Sequence, residues 1–276
     1  MVVHAVDGTY ELFRHFFGLR RFNKGQDRPY GAVVGVLQSV LEMIEGGATH
    51  IGVATDHVIE SFRKRLWPGY KTGAGIEPVL LAQFHPLEDA LSAMGVVNWP
   101  MIEFEADDAL ASAAALAARD ARVEKVCIWT PDKDLAQCVR NDHIVQVDRK
   151  TKQIRDAEGV RQKFGVDPQL IPDFLALVGD AADGYPGIAG IGPVGARQLL
   201  MKHGAIEKFP PTVLGDQQAR ALLFKDLATL RTDAVSFDDV DDLKWNGPTP
   251  QFALWTERMQ APRLLDRCVK AAAALR

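Results

Sequence analysis

The sequence predicts an α/β fold, a mostly parallel sheet flanked by helices, with a helical second part behind it. Two observations carry this. Short β-rich runs alternate with helical patterns, the order that builds a parallel sheet covered by helices. Past residue 164 the texture turns helical and rich in Gly and Pro. A boundary there divides the chain into 1–164 and 165–276, and 276 residues suffice for a substantial core in each.

Taken in order, Val2-Val3-His4-Ala5-Val6 ends at Asp7, His50-Ile51-Gly52-Val53-Ala54 leads to Asp56, and Val126-Cys127-Ile128-Trp129 leads to Asp132. Each reads as a buried strand ending in a carboxylate. Helical patterns cover Tyr30 to Glu45 and Pro86 to Met94, and a fourth strand, Ile144 to Val147, closes the first part. Ligands of such sheets collect at the carboxyl ends of the strands, so the three aspartates are expected along one edge. Beyond residue 165 a helix is expected over Pro168 to Leu177. A Gly/Pro-dense stretch follows from Gly179 to Gly195, then a helix from Pro193 to His203 with Gly204 placed to end it.

Composition removes several function classes. Cys127, Cys138 and Cys268 are odd in number and form no C-x-x-C pair, which suits a reducing cytoplasm and offers neither a disulfide framework nor a zinc site. Met1 runs straight into the apolar stretch ending at Asp7, without the basic start and small-residue cleavage site of a signal peptide. No apolar run reaches the ~18 residues of a membrane span. The formal charge of −4 argues against a polyanionic partner, but setting aside nine clustered carboxylates takes it from −4 to +5.

Those nine are Asp7, Asp56, Glu105, Asp107, Asp108, Asp132, Asp134, Asp180 and Asp183. Taken singly, each cluster has an ordinary explanation. Glu105-Ala106-Asp107-Asp108 opens an Ala-rich helix, where acidic groups meet free amides and the macrodipole. Asp132-Lys133-Asp134 suits a turn after a strand. Asp180 and Asp183 share a face if the preceding helix continues and a tight turn if it does not. Together they converge on one edge, where unneutralised like charges repel by several kcal/mol. Something cationic belongs there. Hard oxygen donors without a His or Cys pattern point to Mg²⁺ or Mn²⁺, and nine carboxylates exceed the needs of one ion. Two or more ions about 4 Å apart suit phosphodiester hydrolysis.

Gly190-Ile191-Gly192-Pro193-Val194-Gly195 matches G-x-G-x-x-G literally, but a turn precedes it in place of a strand, so the βαβ unit of a dinucleotide site is missing. Read as a helix-hairpin-helix, its glycines let backbone amides approach phosphates and the following helix adds positive potential. A tight ligand-free connection between two helices remains the alternative.

Asp7-Gly8-Thr9, Phe62-Arg63 with Tyr70-Lys71, Glu105 to Asp108, Asp132 to Asp134, Gly179-Asp180 with Asp183, and the Gly187 to Gly192 hairpin resemble the flap endonuclease and 5′–3′ exonuclease family, including the 5′-nuclease domain of bacterial DNA polymerase I. Order and spacing match over residues 2 to 233. The resemblance implies a PIN-like metal-dependent nuclease domain with an arch over residues 63–85, then a helix-hairpin-helix domain and a C-terminal extension. It also implies DNA substrates with 5′ flaps, nicks or single-strand/duplex junctions. Asp7, Asp56, Glu105, Asp107, Asp108 and Asp132 correspond to one metal group, and Asp134, Asp180 and Asp183 to a second. Lys71, Arg63 and Arg14 match basic residues that offset charge on the scissile phosphate. Tyr70 is placed to stack on an unpaired base. Gly187, Gly190, Gly192 and Gly195 are placed against the duplex backbone, with a K⁺ at the hairpin as in relatives.

The sequence departs from the family where an arch Arg is replaced by Ala74, where Thr72 to Gln83 is more apolar than usual, and where Pro193-Val194-Gly195 follows the hairpin. The first two weaken the expectation that a single strand threads the arch. The chain ends at Arg276 with no polymerase attached, so a stand-alone monomeric enzyme is expected. Two other readings stay open: a catalytically weak DNA-structure-binding protein of the same fold, and a receiver-like phosphoacceptor using Asp7 and Asp56.

Overall fold

The computed structural model describes residues 1–23 and 29–274. The first part runs β1 (Val2–Asp7), α1 (Gly8–Asn23), α2 (Gly31–Glu45), β2 (His50–Asp56), α3 (Arg63–Leu66), α4 (Pro78–Leu81), α5 (Phe84–Ala93) and β3 (Val97–Met101). It continues with α6 (Ala106–Ala117), β4 (Lys125–Trp129), β5 (Ile144–Val147), β6 (Ile154–Arg155) and α7 (Ala157–Phe164). The sheet order is β3-β2-β1-β4-β5-β6, parallel throughout except for β6. Val6 pairs with Val53 on one side and Trp129 on the other, so the ends of β1, β2 and β4 are level. Helices cover both faces, and β2 and β5 are correspondingly near-continuous apolar runs.

The sequence reading contained neither β3 nor β6. β3 reads VNWPM, and its Pro100 is tolerated because this is an edge strand paired only with β2. Trp99 of β3 lies over Gly52, where a Cβ would come within 2.2 Å of the indole ring. β6 has two residues, too few to show a period.

The second part has α8 (Ile171–Val178), α9 (Pro193–His203), α10 (Pro211–Leu214) and α11 (Gln218–Ala228). The expected helix over Pro168 to Leu177 is split: a 3₁₀ turn spans Pro168–Leu170, and α8 starts behind it with Pro172 in its first turn, where a missing N–H costs nothing. These helices share a core of Phe174, Leu177, Tyr185, Leu200 and Phe224, which also takes in Tyr70 from the segment after α3.

The chain then returns to the first part. Leu230, Val240 and Leu243 pack with the α6 face of the sheet. Trp245 is buried and donates its indole N–H to Met94 O at 2.9 Å. Finally α12 (Phe252–Arg258) and α13 (Pro262–Ala274) place Phe252, Met259, Leu264 and Cys268 in the core that contains α2 and α5. The sequence grouped these helices behind the hairpin because helical period tells which face is apolar but not which surface it covers.

Candidate metal centre

Parallel strands ending level bring their terminal carboxylates together. Asp7 closes β1, and its two oxygens accept hydrogen bonds from the Tyr10 amide at 2.8 Å and the Thr130 hydroxyl at 2.9 Å. Asp56 closes β2 and accepts the Ala106 amide at 2.8 Å, which ties it to the start of α6. Glu105 is the N-cap of that helix, and Asp107 lies in its first turn. Asp132 follows β4 and accepts the Asp134 amide at 2.9 Å. With Thr9, Tyr10, Phe13 and Lys71, these five carboxylates line one open pocket.

Burial and mutual repulsion leave this pocket short of positive charge. Burial pushes Asp7 up to about 7, with Asp56 and Asp132 adding to it against the hydrogen bonds from Tyr10 and Thr130. Burial, then the charges of Asp132 and Asp7, raise Asp107 well above the usual carboxylate range. Asp56 is also raised by burial, opposed by Lys71 and the Ala106 amide. Burial alone would raise Glu105 too, but Lys71 and Arg63 outweigh it and hold it below its ordinary value.

A second group adjoins the first. Asp134 sits on a 3₁₀ turn, while Asp180 and Asp183 lie in the tight turn after α8, closed by the Asp180 and Tyr185 backbones pairing at 2.8 and 3.0 Å. One carboxylate oxygen of each lies within 4.8 Å of the others. Asp134 Oδ1 is buried without a hydrogen-bond partner, an expensive state for a carboxylate. Burial, Asp132 and Asp183 together push Asp134 well up. Oxygen donors alone, one of them orphaned, fit a hard divalent cation.

Lys71 stands between the groups, its ammonium 2.8 Å from Glu105 and 3.0 Å from Asp183. Arg63, Arg14, Tyr70, Asp108 and Gly187 occupy other places than the sequence suggested. Arg63 and Asp108 are both fully buried and bind each other through two hydrogen bonds of 2.7 Å, so Asp108 has no oxygen turned to the pocket and Arg63 cannot reach a phosphate. Arg14 binds Glu11 at 2.6 and 3.0 Å and Ser39 at 3.1 Å, between α1 and α2. Tyr70 is 3 % exposed within the second core, its hydroxyl 3.4 Å from Glu105, and presents no face for stacking.

The hairpin glycines divide likewise. Gly187 has φ +73° and a Cβ there would lie 2.4 Å from Gly179 N, so it is a backbone packing position. Gly190, at φ +84°, and Gly192, the N-cap of α9, have open space before them. Gly195 meets only Ile191, at 3.9 Å. Exposed Val194 stands beside them. Tyr10 and Phe13, which line the pocket, and Thr130, which donates to Asp7, are residues the sequence reading lacked. Phe13 was within reach, because it lies three residues past Tyr10 on the helix that Asp7 caps.

The carboxylates that bind a divalent ion must first lose their protons, which couples metal binding to pH. Asp7 titrates near 7 when folded and at 3.8 ordinarily, so between these values the metal-free folded state holds more protons than the unfolded chain. Its stability therefore falls as pH rises through that window, and a divalent ion offsets the loss. At fixed millimolar Mn²⁺, the rise in Tm over the chelated protein is expected to be larger at about pH 8 than at about pH 5.5. Calorimetric scans at both values check this; equal shifts would show that the ion does not compete for these protons.

Comparison with known proteins supplies the context. The family description "5′-3′ exonuclease, N-terminal resolvase-like domain" matches residues 2–165, and "5′-3′ exonuclease, C-terminal SAM fold" matches residues 166–251. The chain is 34% identical to the DNA polymerase I of Pseudomonas aeruginosa over 258 residues, covering 86% of this chain and 28% of that protein. It is 32% identical to the 5′-3′ exonuclease of Aquifex aeolicus over 207 residues, covering 74% of this chain and 71% of the relative. It thus spans little more than a quarter of the polymerase. Among solved structures, a bacteriophage T5 D15 flap endonuclease complex with DNA and metal ions superposes with a TM-score of 0.68 at 17% identity, covering 99% of this chain and 100% of that one. Flap endonuclease-1 from Methanococcus jannaschii gives 0.63 at 16% identity, covering 100% and 93%. These two likenesses concern the fold, a PIN-like parallel sheet with a helical second domain. From the two consecutive family matches and the exonuclease relative, the chain belongs to the 5′-3′ exonuclease family.

Proposed function

We propose that this protein is a structure-specific 5′-nuclease, a flap endonuclease or 5′–3′ exonuclease that hydrolyses DNA phosphodiesters near single-strand/duplex junctions in replication or repair. The observation that carries the reading is the pair of adjacent buried carboxylate groups, one containing the orphaned Asp134 oxygen. Asp7, Asp56, Glu105, Asp107 and Asp132 would hold one ion and Asp134, Asp180 and Asp183 another, with Mg²⁺ or Mn²⁺ as the natural occupants of oxygen-only sites. Bound there, such ions supply Lewis acidity to the phosphate and acidify the attacking water.

The chain's own residues do the rest. A phosphate lying across the two groups meets the Lys71 ammonium, which stands between Glu105 and Asp183 and offsets developing negative charge. Thr130 and the Tyr10 amide fix the direction of Asp7, and the Ala106 amide that of Asp56. Phe13 gives the pocket an aromatic wall against which a base can stack. Gly190, Gly192 and Gly195 present open backbone at the start of α9, suited to duplex phosphates, and a K⁺ bound at this hairpin would add positive charge. Residues 1–164 carry most of the catalytic part, Asp180 and Asp183 of the following part complete it, and the hairpin region is the grip on the duplex. The protein acts as a cytoplasmic monomer, its three cysteines unpaired; no helix among the described residues is long and apolar enough to cross a membrane.

A receiver-like role leaves Asp107, Asp134, Asp180 and Asp183 without work. The deciding experiment follows a 5′-labelled flap duplex and a nicked duplex with Mg²⁺, with Mn²⁺ and with chelator. Cleavage of the flap near its junction, dependent on metal, is the expected result. Absence of metal-dependent cleavage of either substrate by the intact protein would end the nuclease reading.

A further inference from the structure

We propose that Lys133 is a tethered counter-ion of the second carboxylate group, one that a divalent cation must displace, so that this lysine sets the metal concentration at which the second ion enters. This rests on the reading of Asp134, Asp180 and Asp183 as ligands.

The two groups are neutralised in different ways. In the first group the protein's cations meet only Glu105, which Lys71 and Arg63 approach to 2.8 and 3.3 Å; among the described residues, no Lys, Arg or His forms an ion pair with Asp7, Asp56, Asp107 or Asp132. In the second group, Lys133 Nζ lies 2.5 Å from Asp180 Oδ2 and Lys71 Nζ 3.0 Å from Asp183 Oδ1. Asp134 keeps a buried oxygen, Oδ1, without a partner. An ion bridging all three ligands must separate Lys133 from Asp180. The lysine has room to withdraw, since its side chain is 35% exposed and its stem is flexible.

Position in the chain ties Lys133 to the site. It lies between Asp132, which faces the first pocket, and Asp134, which belongs to the second group. Its backbone carbonyl accepts the Ala136 amide at 3.1 Å, which anchors the lysine at the start of the Asp134 turn. Asp180 is independently held by its own turn, where it accepts the Ala182 amide at 3.0 Å and its backbone pairs with Tyr185. Asp180 therefore keeps its place when the lysine is removed.

Two roles for Lys133 differ in sign. A counter-ion weakens cation binding, so Lys133→Met should tighten the second site, whereas a residue that merely holds Asp180 in position should, when removed, loosen it. The test titrates Mn²⁺ alone into the full chain and reads free ion by electron paramagnetic resonance and heat by calorimetry, so no turnover is involved. Lys133→Met is expected to tighten the weaker of two sites by about tenfold and to change the tighter one much less. Lys133→Arg, which keeps the charge, is expected to stay near the parent, and Lys133→Gln serves should the Met variant fold poorly. Asp180→Asn is expected to remove the weaker site. If Asp180→Asn leaves both sites intact, the ligand reading fails and the proposal falls with it. If it removes one while Lys133→Met and Lys133→Gln leave that site unchanged or weaker, the ligand reading stands and the counter-ion role is overturned.

Discussion

Asp107→Asn is expected to make the metal-free protein more stable and, at the same time, to lower metal-dependent cleavage by on the order of 10³-fold. The two effects have one source. Asp107 lies in the first turn of α6, where a carboxylate on an exposed helix gains about 0.3–1 kcal/mol from the macrodipole. Here the balance is reversed, because burial and the neighbouring Asp132 and Asp7 raise its proton affinity well above the ordinary value. A carboxyl raised in the folded state costs stability once the pH exceeds its ordinary range, and the isosteric amide removes that cost. The gain in Tm should accordingly be present near neutral pH and fade as the pH approaches the ordinary carboxylate range. Added Mn²⁺ should stabilise the parent more than the variant. A variant less stable without metal, yet nearly as active, would make Asp107 an ordinary helix-cap acid and remove it from the centre.

The strands that position this centre were legible because a parallel sheet buried on both faces leaves near-continuous apolar runs, and β1, β2, β4 and β5 each show one, broken by His4 in β1 and Gln146 in β5. β3 was not, because an edge strand can carry Asn98 and Pro100. The carboxylates were legible as a set through their common edge. Their individual directions were not: Glu105, Asp107 and Asp108 are almost consecutive in one helical turn, yet they aim at the pocket, the pocket and the core. A helix turns about 100° per residue, so adjacent acids face different ways, and only the partner reveals which one is structural. The same holds for the basic residues. Lys71 and Arg63 flank the same arch, but one side chain is a third exposed and the other is buried. Nor does the sequence mark the C-terminal α12 and α13 as cover for α2 and α5, because their apolar stripe would suit any apolar surface.

Arg63→Met is expected to destabilise the fold by about 3–5 kcal/mol, the usual cost of removing one partner from a buried ion pair. Arg63 and Asp108 are 1% and 0% exposed, and the guanidinium also donates to Leu227 O at 2.8 Å and Thr229 O at 3.3 Å, so it closes the end of α11. Asp108 in turn accepts the Glu105 amide at 3.0 Å and the Arg231 amide at 2.8 Å. One pair thus joins the start of α3, the start of α6 and the segment returning from the second part. Without Arg63, the Asp108 charge keeps two amides but loses its fork of two hydrogen bonds in a site closed to water. Arg63→Lys should restore little, since an ammonium cannot reproduce the fork and reach both carbonyls. The double variant Arg63→Met with Asp108→Leu removes the stranded charge, and should recover a large part of the loss even though the two amides lose their acceptor. Urea unfolding of the parent, Arg63→Met, Asp108→Leu and the double variant closes the double-mutant cycle and measures this directly. A phosphate contact would give the opposite pattern: stability within about 0.5 kcal/mol of the parent, as for surface changes, with the loss confined to cleavage. Because the same guanidinium lies 3.3 Å from a Glu105 oxygen, the change at residue 63 should also weaken metal binding, by releasing Glu105.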